Sequence, residues 1–537
     1  MHLIDTTDFD RRVVGDVLRR QAAVIGDAPF LLADDVVLTF EAVNRRTDEL
    51  AAGLASLGIG PGNPVALFLE NSLDFVLVAL AANKLGAAWI PTNTAYKGEW
   101  LRDTLVDGGA PVLVVDSSML GRVADVAADI PAKHVVVRGG DTTRLSGRSV
   151  SHFEELAVDG ASDPGISVSA GDLSAVMWTS GTTGRSKGVM QTHSAWLACA
   201  DIFVQARDTR PGDVFYCCVP LFNSGGWVLN VFCGLVAGLP VAIDPGFSVR
   251  TFWDRCRHYR ATQIVTLGAM HMYLWQAPAG PADADNPVRV AGFVPLPAEL
   301  TEPMKERFGL EFIWQGFGQS EVMPMAITSR DGTWSPGSCG VARPDLDVRI
   351  LDEQGAEVVV GEVGEICVRP HRPGVMFSGY YGRPDDTLAA FADLWYHSGD
   401  LGRLNGQGEL FFVDRAADYM RHKGRNVSSF EIERVFLAHP AVAEAAAHGV
   451  PADELASEDE IKVCVVLRSG ETVTEAELAR FVNDRAPYYF VPRYIELLGE
   501  LPHTPTERVQ KFRLRQRGVT AATWDRHAAG FTVTRDS

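Results

Sequence analysis

Two hydrophobic rhythms alternate over the first 140 residues. Val43, Thr47, Leu50, Leu54 and Leu57 recur at three- and four-residue steps with Gly58 behind them, which predicts a helix stopped by glycine. Val65-Ala66-Leu67-Phe68-Leu69 is an unbroken apolar run and predicts a strand buried on both faces. Ser72 and Asp74 open another helix that ends near Gly86, and Val112–Val115 and Val135–Val137 predict further short strands. Helices alternating with buried strands predict an α/β architecture on mostly parallel sheet.

The rhythm changes between about Gly340 and Val413. Short strand-like runs, Val348–Leu351, Glu365–Val368 and Glu409–Val413, are separated by Gly, Pro and Asp, which predicts a small antiparallel subdomain. Beyond Arg415 the alternation resumes on a smaller scale: helical Phe430–Phe436, strand-like Ile461–Leu467, helical Glu475–Asn483. A chain of 537 residues exceeds one ordinary core. The expected organisation is a large multi-subdomain N-terminal domain, residues 1–414, and a smaller mobile α/β domain, residues 415–537, with a hinge near 414–418. The most apolar stretch, Gly225 to Ile243, is interrupted by Asn230 and cut by Gly238-Leu239-Pro240, so it predicts a buried helix running into a buried strand and no membrane span.

A net charge of −19 argues against a nucleic-acid binder, which needs clustered Lys and Arg. It leaves room for a nucleotide pocket built from a few local cations and backbone amides. The N-terminal M-H-L-I-D-T-T-D-F-D lacks a secretion pattern, so a cytoplasmic protein is expected. The eight cysteines show no metal-ligand spacing and predict buried free thiols.

The strongest chemical signal is W-T-S-G-T-T-G-R-S-K-G-V-M, Trp178 to Met190. Ala175–Trp178 supplies a strand, and the loop after it offers hydroxyls from Thr179, Ser180, Thr182 and Thr183. Gly181 and Gly184 permit close backbone approach to a phosphate, and Lys187 brings a point charge. A flexible polar turn would not need this many hydroxyls beside a lysine. The order of glycine and lysine differs from a Walker A loop.

This loop resembles the phosphate loop of the adenylate-forming superfamily: acyl-CoA synthetases, carrier-loading adenylation domains and firefly-type luciferases. Further motifs follow in the family's order, from about residue 30 to 515. Gln315-Gly316-Phe317-Gly318-Gln319-Ser320-Glu321 resembles its Y-G-x-T-E element. The resemblance implies that Phe317 stacks on adenine, Ser320 contacts phosphate, and Glu321, with Thr182, holds Mg²⁺. Trp395-Tyr396-His397-Ser398-Gly399-Asp400-Leu401 resembles W-x-x-T-G-D, which gives Asp400 the ribose hydroxyls. Asp414-Arg415 resembles the D-R at the hinge, with Arg415 reaching ribose or phosphate. His422 to Glu433 resembles K-G-x-x-V-S-P-x-E-V-E, which sets Gly424 and Ser428 beside the pantetheine of CoA. The wording is similar to crotonobetaine/carnitine–CoA ligase-like members.

The chain departs from the family at three places. Ala417 stands in the hinge beside Asp418, and Asn223 replaces a histidine at the acyl-pocket entrance. The C-terminal T-G-K is Thr506-Glu507-Arg508, with Lys511 three residues on. The segment reads as extended, where an odd offset sends two side chains to opposite faces, so one cation of the two is expected at the site, and Arg508 keeps the register. Unused, both would join Arg513, Arg515 and Arg517 on a solvated basic face.

The expected activity is an ATP-dependent carboxylic acid:CoA ligase. Its first step makes an acyl-adenylate and its second an acyl-CoA thioester. Competing expectations are an adenylation enzyme loading a separate carrier protein, a luciferase-like oxygenase, and a nucleotide-binding pseudo-ligase suggested by Arg508. Family position lines the acyl pocket with Asn223, Gly225, Gly226, Trp227, Met272 and Met323. No cation is evident there, so the expected substrate is a largely apolar acid.

Overall fold

The computed structural model describes residues 8–140, 145, 147–179, 186–418, 420–422, 425–451, 459–486, 488–503 and 509–533. Two seven-stranded sheets dominate the chain up to Trp314. One runs Ser149–His152, His134–Arg138, Val112–Asp116, Val65–Phe68, Trp89–Pro91, Leu173–Thr179, Lys187–Thr192, parallel except for its last pair. The other runs Phe312–Trp314, Val290–Val294, Gln263–Leu267, Phe215–Cys217, Val241–Ile243, Pro29–Ala33, Val36–Thr39, again antiparallel only at the end.

The unbroken apolar runs are explained by burial on both faces of each sheet. Val112 and Val114 point into the large central core, which also takes Val241 and Val265 from the second sheet. Leu113 and Val115 point the other way, into a cluster with Leu101, Leu105 and Val123. Phe215 and Cys217 likewise face the central core, and Tyr216 and Cys218 face Phe252 and Phe308. Period-two alternation therefore sorts apolar residues between two apolar layers. The helix predicted from Val43 spans Phe40–Ser56 and Gly58 follows it at φ 84°. Ser72 caps Leu73–Lys84 by accepting from the Phe75 amide.

The antiparallel subdomain contains Leu346–Leu351, Gly364–Pro370, Trp395–Leu404 and Leu410–Arg415, with Phe391–Ala392 at its edge. A further core has every buried member at or beyond Met420 and joins Ile432 and Phe436 to Val463, Leu478 and Ile495. Its sheet orders Val442–Pro451, Asp459–Leu467, Tyr494–Leu498 and Trp524–Asp525. Helix Glu475–Asn483 begins in a reciprocal cap between Thr474 and Glu477.

The Gly225–Ile243 stretch is helical to Ala237 and strand from Val241, as expected, but Trp227–Val231 forms a π-helical turn within it. The eight cysteines are free, and all but Cys339 are buried. No helix among the described residues is long and apolar enough to cross a membrane. One expectation is corrected: the chain around Lys511 is not extended, because Lys511–Arg517 is a helix.

The C-terminal core contains a fully buried ion pair, Lys462 with Glu496, and Thr520, Thr523 and Arg517 also donate to Glu496. Burial alone would raise the Glu496 carboxyl, but the bonds from Lys462 and the threonines hold it below the ordinary carboxylate range. A depressed folded-state value stabilises the fold above the unfolded value of about 4.3 and loses that contribution as pH falls. Glu496→Leu leaves Lys462 buried and unpaired, so urea unfolding should show a loss of about 3–5 kcal/mol near neutral pH. The same titration repeated at acidic pH should show a narrower gap between variant and wild type.

Candidate functional site

Thr179 in one large sheet and Leu267, Val294 and Trp314 in the other are each the last residue of their strand, the end at which open α/β sheets place their ligands. Thr179 is opposite Lys187 in the antiparallel register, so the Ser/Thr/Gly loop is the connection of a hairpin. Ser180, Gly181, Thr182, Thr183 and Gly184 lie outside the described residues. Lys187 Nζ is 4.8 Å from the centre of the Tyr380 ring and 3.4 Å from an Asp386 oxygen. The Tyr380 hydroxyl donates to Glu321 Oε1 at 2.9 Å. Tyr380 therefore joins the loop's lysine to the carboxylate of a second motif. Burial raises the Glu321 carboxyl above its ordinary value; Asp400 acts in the same direction, Tyr380 and Arg415 against it.

The Gln315–Glu321 element turns sharply at Gly318, where a Cβ would lie 2.9 Å from the Val322 carbonyl oxygen and 3.2 Å from Met323 Cα. Only glycine fits that close approach. Gly316 and Phe317 form a short strand, and the Phe317 ring stacks on Phe412 at 5.4 Å. The Gln315 side chain is used structurally, donating to the Phe293 carbonyl and accepting from the Leu296 amide. Ser320 Oγ is 3.1 Å from Ser224 Oγ, and Gln191 donates to the Ser320 carbonyl. Gln319 donates to Asp400 Oδ2 at 2.5 Å and to the Ser398 carbonyl, and accepts from the Tyr396 hydroxyl at 2.7 Å. Asp400 is buried and pairs in register with Arg415, whose Nε is 3.7 Å from Asp400 Oδ1.

Tyr380, Gln319 and Tyr396 were not singled out from the sequence, yet they hold the motif residues together. Two signals were readable: Tyr380 is framed by glycines in Ser378-Gly379-Tyr380-Tyr381-Gly382, and Gln319 lies inside a motif already marked.

The residues expected to line an acyl pocket separate into two groups. Gly225 is buried but not tightly hemmed in, since a Cβ there would make only ordinary contacts, 3.6 Å to Leu229 and 3.8 Å to Leu267. Met323, like Leu267, Met270 and Val294, is partly buried against the central core. Asn223 precedes this short helix without capping it through its side chain. Gly226 gives no space, because a Cβ would meet the Pro220 carbonyl at 2.8 Å. Trp227 is a core residue: it is fully buried, donates to the Leu221 carbonyl at 2.6 Å and packs on Trp89 at 4.2 Å. Met272 packs against the outer cluster that holds Tyr216 and Phe252, whereas Met270 of the same helix packs against the central core.

Asp414 connects its strand to the start of helix Ser429–Leu437. Its Oδ2 accepts from the Ser429 amide and hydroxyl, from the Ser428 hydroxyl and from the Phe430 amide. Ser428 is 1% exposed and caps helix Ser429–Leu437 by accepting from the Glu431 amide. Gly424 and Arg508 lie outside the described residues. Lys511 Nζ is 2.8 Å from Glu433 Oε1 and 2.5 Å from Ser429 Oγ. The basic face is not a free solvated one: Arg515 pairs with Asp418 and Arg517 with Glu496.

An aromatic face, an acceptor-only carboxylate, a lysine beside a hydroxyl-rich loop and a buried carboxylate form an arrangement suited to the base, sugar and phosphates of a nucleotide. Comparison with known proteins agrees. The model of the AMP-binding enzyme family matches residues 18–381, and that of the AMP-binding enzyme C-terminal domain matches 431–508. A crotonobetaine/carnitine–CoA ligase of Salmonella choleraesuis is 28% identical over 510 residues, 92% of this chain and 97% of that protein. A medium/long-chain-fatty-acid–CoA ligase of Mycobacterium tuberculosis is 31% identical over 530 residues, covering 95% and 86%. The crystal structure of ATP-bound MatB from Rhodopseudomonas palustris superposes with a TM-score of 0.81 at 26% identity, covering 94% of this chain and 98% of that one.

Because Lys511 neutralises Glu433, whose carboxyl is raised by burial, its removal should act first on stability. Lys511→Met is expected to lower unfolding stability by about 2–3 kcal/mol, with Glu433→Gln in the same chain restoring part of it. An unchanged urea midpoint with lost catalysis would instead assign Lys511 to the reaction.

Proposed function

The chain belongs to the AMP-binding enzyme family, and from that membership we propose how it works as an ATP-dependent carboxylic acid:CoA ligase acting in the cytoplasm. The observation that carries the reading is the joining of three separate motifs: Lys187 lies over the Tyr380 ring whose hydroxyl donates to Glu321, and Gln319 of the Ser320–Glu321 element donates to Asp400.

In the first step a carboxylate oxygen of the acid attacks the α-phosphorus of ATP, the bond to the β-phosphate oxygen breaks, and pyrophosphate leaves. Lys187 and the hydroxyl loop, with Ser180, Thr182 and Thr183, hold the departing pyrophosphate. Phe317 supplies the face for adenine, and Asp400 with Arg415 receives the ribose. Glu321 is a hard oxygen donor that fits Mg²⁺, with Thr182 as its companion. The ion would supply charge neutralisation at the phosphates. Catalysis of this kind is positioning and electrostatic stabilisation by groups fixed beforehand.

In the second step the CoA thiol, losing its proton, attacks the acyl carbon, and the bond to AMP breaks. The part from 415 to 537 turns on the 414–418 hinge, with residues 1–414 as the fixed body, and brings Gly424 to the pantetheine. Ser428 serves that approach by fixing the helix that follows it.

A broad panel of acids should include at least one giving acid- and Mg²⁺-dependent release of pyrophosphate and, with CoA, of AMP. ATP binding without exchange for any acid would make the chain a nucleotide-binding pseudo-ligase. An acyl group accepted by a carrier protein and not by CoA would make it a loading enzyme.

The half-reactions should separate by mutation. Gly424→Leu is expected to leave ATP–pyrophosphate exchange near wild type and to slow thioester formation from supplied acyl-adenylate on the order of a hundredfold. Arg508→Ala should do the reverse, costing exchange on the order of a hundredfold or more through the lost cation. Equal losses in both assays would return either residue to a structural role.

A further inference from the structure

Strands Gly364–Pro370 and Trp395–Leu404 are neighbours in the antiparallel subdomain, and their register sets Cys367 opposite His397. Ile366, Val368 and Tyr396 belong to the subdomain's core, so Glu365, Cys367 and His397 share the other face. His397 Nδ1 is 2.7 Å from Glu365 Oε2 and 3.5 Å from Cys367 Sγ. One oxygen, one sulfur and one nitrogen donor thus lie within 4.8 Å of one another. Among the described residues no other three His, Cys, Asp or Glu side chains converge in this way.

Solvent reaches the cluster. The side chains of His397 and Glu365 are 24% and 27% exposed, and Cys367 is fully buried. Glu365 has a structural use, because its Oε1 accepts from the Gly399 amide at 2.8 Å, one residue before Asp400. That use leaves Oε2 over and requires neither an imidazole nor a thiol. His397 Nε2 is buried without a hydrogen-bond partner among the described residues, so Nδ1 is the ring atom that fixes the side chain. Burial raises the Cys367 thiol to about 12, which keeps it protonated and unreactive on its own.

We propose that Glu365 Oε2, Cys367 Sγ and His397 Nδ1 bind a divalent cation of the Zn²⁺ class, with a water as fourth ligand. Thiolate, imidazole and carboxylate are the donors that zinc takes, whereas Mg²⁺ prefers oxygen alone. The site is therefore chemically distinct from Glu321. Bond lengths of about 2.3 Å to sulfur and about 2.0–2.1 Å to nitrogen put those two donors about 3.6 Å apart around a tetrahedral ion. The 3.5 Å between Sγ and Nδ1 meets that edge as it stands. The nitrogen–oxygen edge would be about 3.4 Å, so the Glu365 carboxylate has to swing slightly away from His397, toward solvent. The thiol proton leaves to solvent, the imidazole carries its proton on Nε2, and both ligand atoms become free for the ion. A bound ion would tie the two strands together beneath the turn that presents Asp400.

The test adds Co²⁺ to the full-length chain without nucleotide and reads the thiolate-to-cobalt charge-transfer band in the near ultraviolet. Wild type should take up one Co²⁺ per chain with that band, lose it to equimolar Zn²⁺ and keep it in about a hundredfold excess of Mg²⁺. Cys367→Ser should abolish the band, and His397→Gln should weaken Co²⁺ binding by about tenfold or more. No band in wild type, a band that survives Cys367→Ser, or displacement by Mg²⁺ overturns the proposal. Should the variants not fold, X-ray absorption of Zn²⁺-loaded wild type decides. One sulfur in the zinc shell supports the site, and none or more than one overturns it.

Discussion

The Glu321 carboxylate is almost withdrawn from solvent, at 8% exposure, and one phenol, from Tyr380, donates to it. A buried carboxylate is costly unless its partners are fixed, and here each partner belongs to a different stretch of chain. Tyr380 is set by backbone bonds from the segment around Gly379 to the strand that begins at Lys187. Gln319, two residues before Glu321, is fixed by Tyr396 and Asp400. Moving any of these strands would strand a buried polar group, so the two large sheets and the antiparallel subdomain are held in one register by the site itself.

Asp414 applies the same logic at the boundary with the C-terminal core. One carboxylate oxygen gathers the hydroxyls of Ser428 and Ser429 and the amides of Ser429 and Phe430, donors that a helix N-terminus leaves unpaired. Its neighbour Arg415 faces the other way, to Asp400. The adjacent side chains of D-R thus address two different cores, as alternation along a strand requires. The rotation proposed at 414–418 would have to exchange the Asp414 cap for other partners.

Much of this was legible because its causes are local. Alternation, the helix start at Ser72 and glycine stops follow from hydrogen-bonding and steric rules that act within a few residues. The phosphate loop, Gln315–Glu321 and Trp395–Leu401 were visible as motifs because their chemistry requires particular side chains close together in sequence. Trp227 packs in the core for the opposite reason: it opens a π-helical turn, which shifts the face that its side chain presents and cannot be read from composition. Gly226, in the short helix before it, is closed in by the Pro220 carbonyl, a contact that no local pattern announces. Lys511 was read on an extended segment because Thr504-Pro505-Thr506 precedes it, but that signal ends before the helix starts. Tyr380 and Gln319 act across 59 and 81 residues, distances at which sequence carries no geometric information.

Arg207 shows how the fold alters the meaning of a residue. In A-R-D-T-R-P-G-D it has the appearance of a basic residue after a helix, where cations normally meet the dipole and water. Helix His193–Ala206, however, is buried along most of its length, with Trp196, Leu197, Ala200 and Phe203 in the central core. Its end consequently falls inside the molecule, where the strand ending at Trp314 and the strand starting at Phe215 close over it. At an exposed helix end water would solvate such a cation. Here the guanidinium donates to the Leu229 carbonyl and lies against the rings of Trp314, Phe203 and Phe215, so aromatic packing takes over part of the role that solvent plays elsewhere.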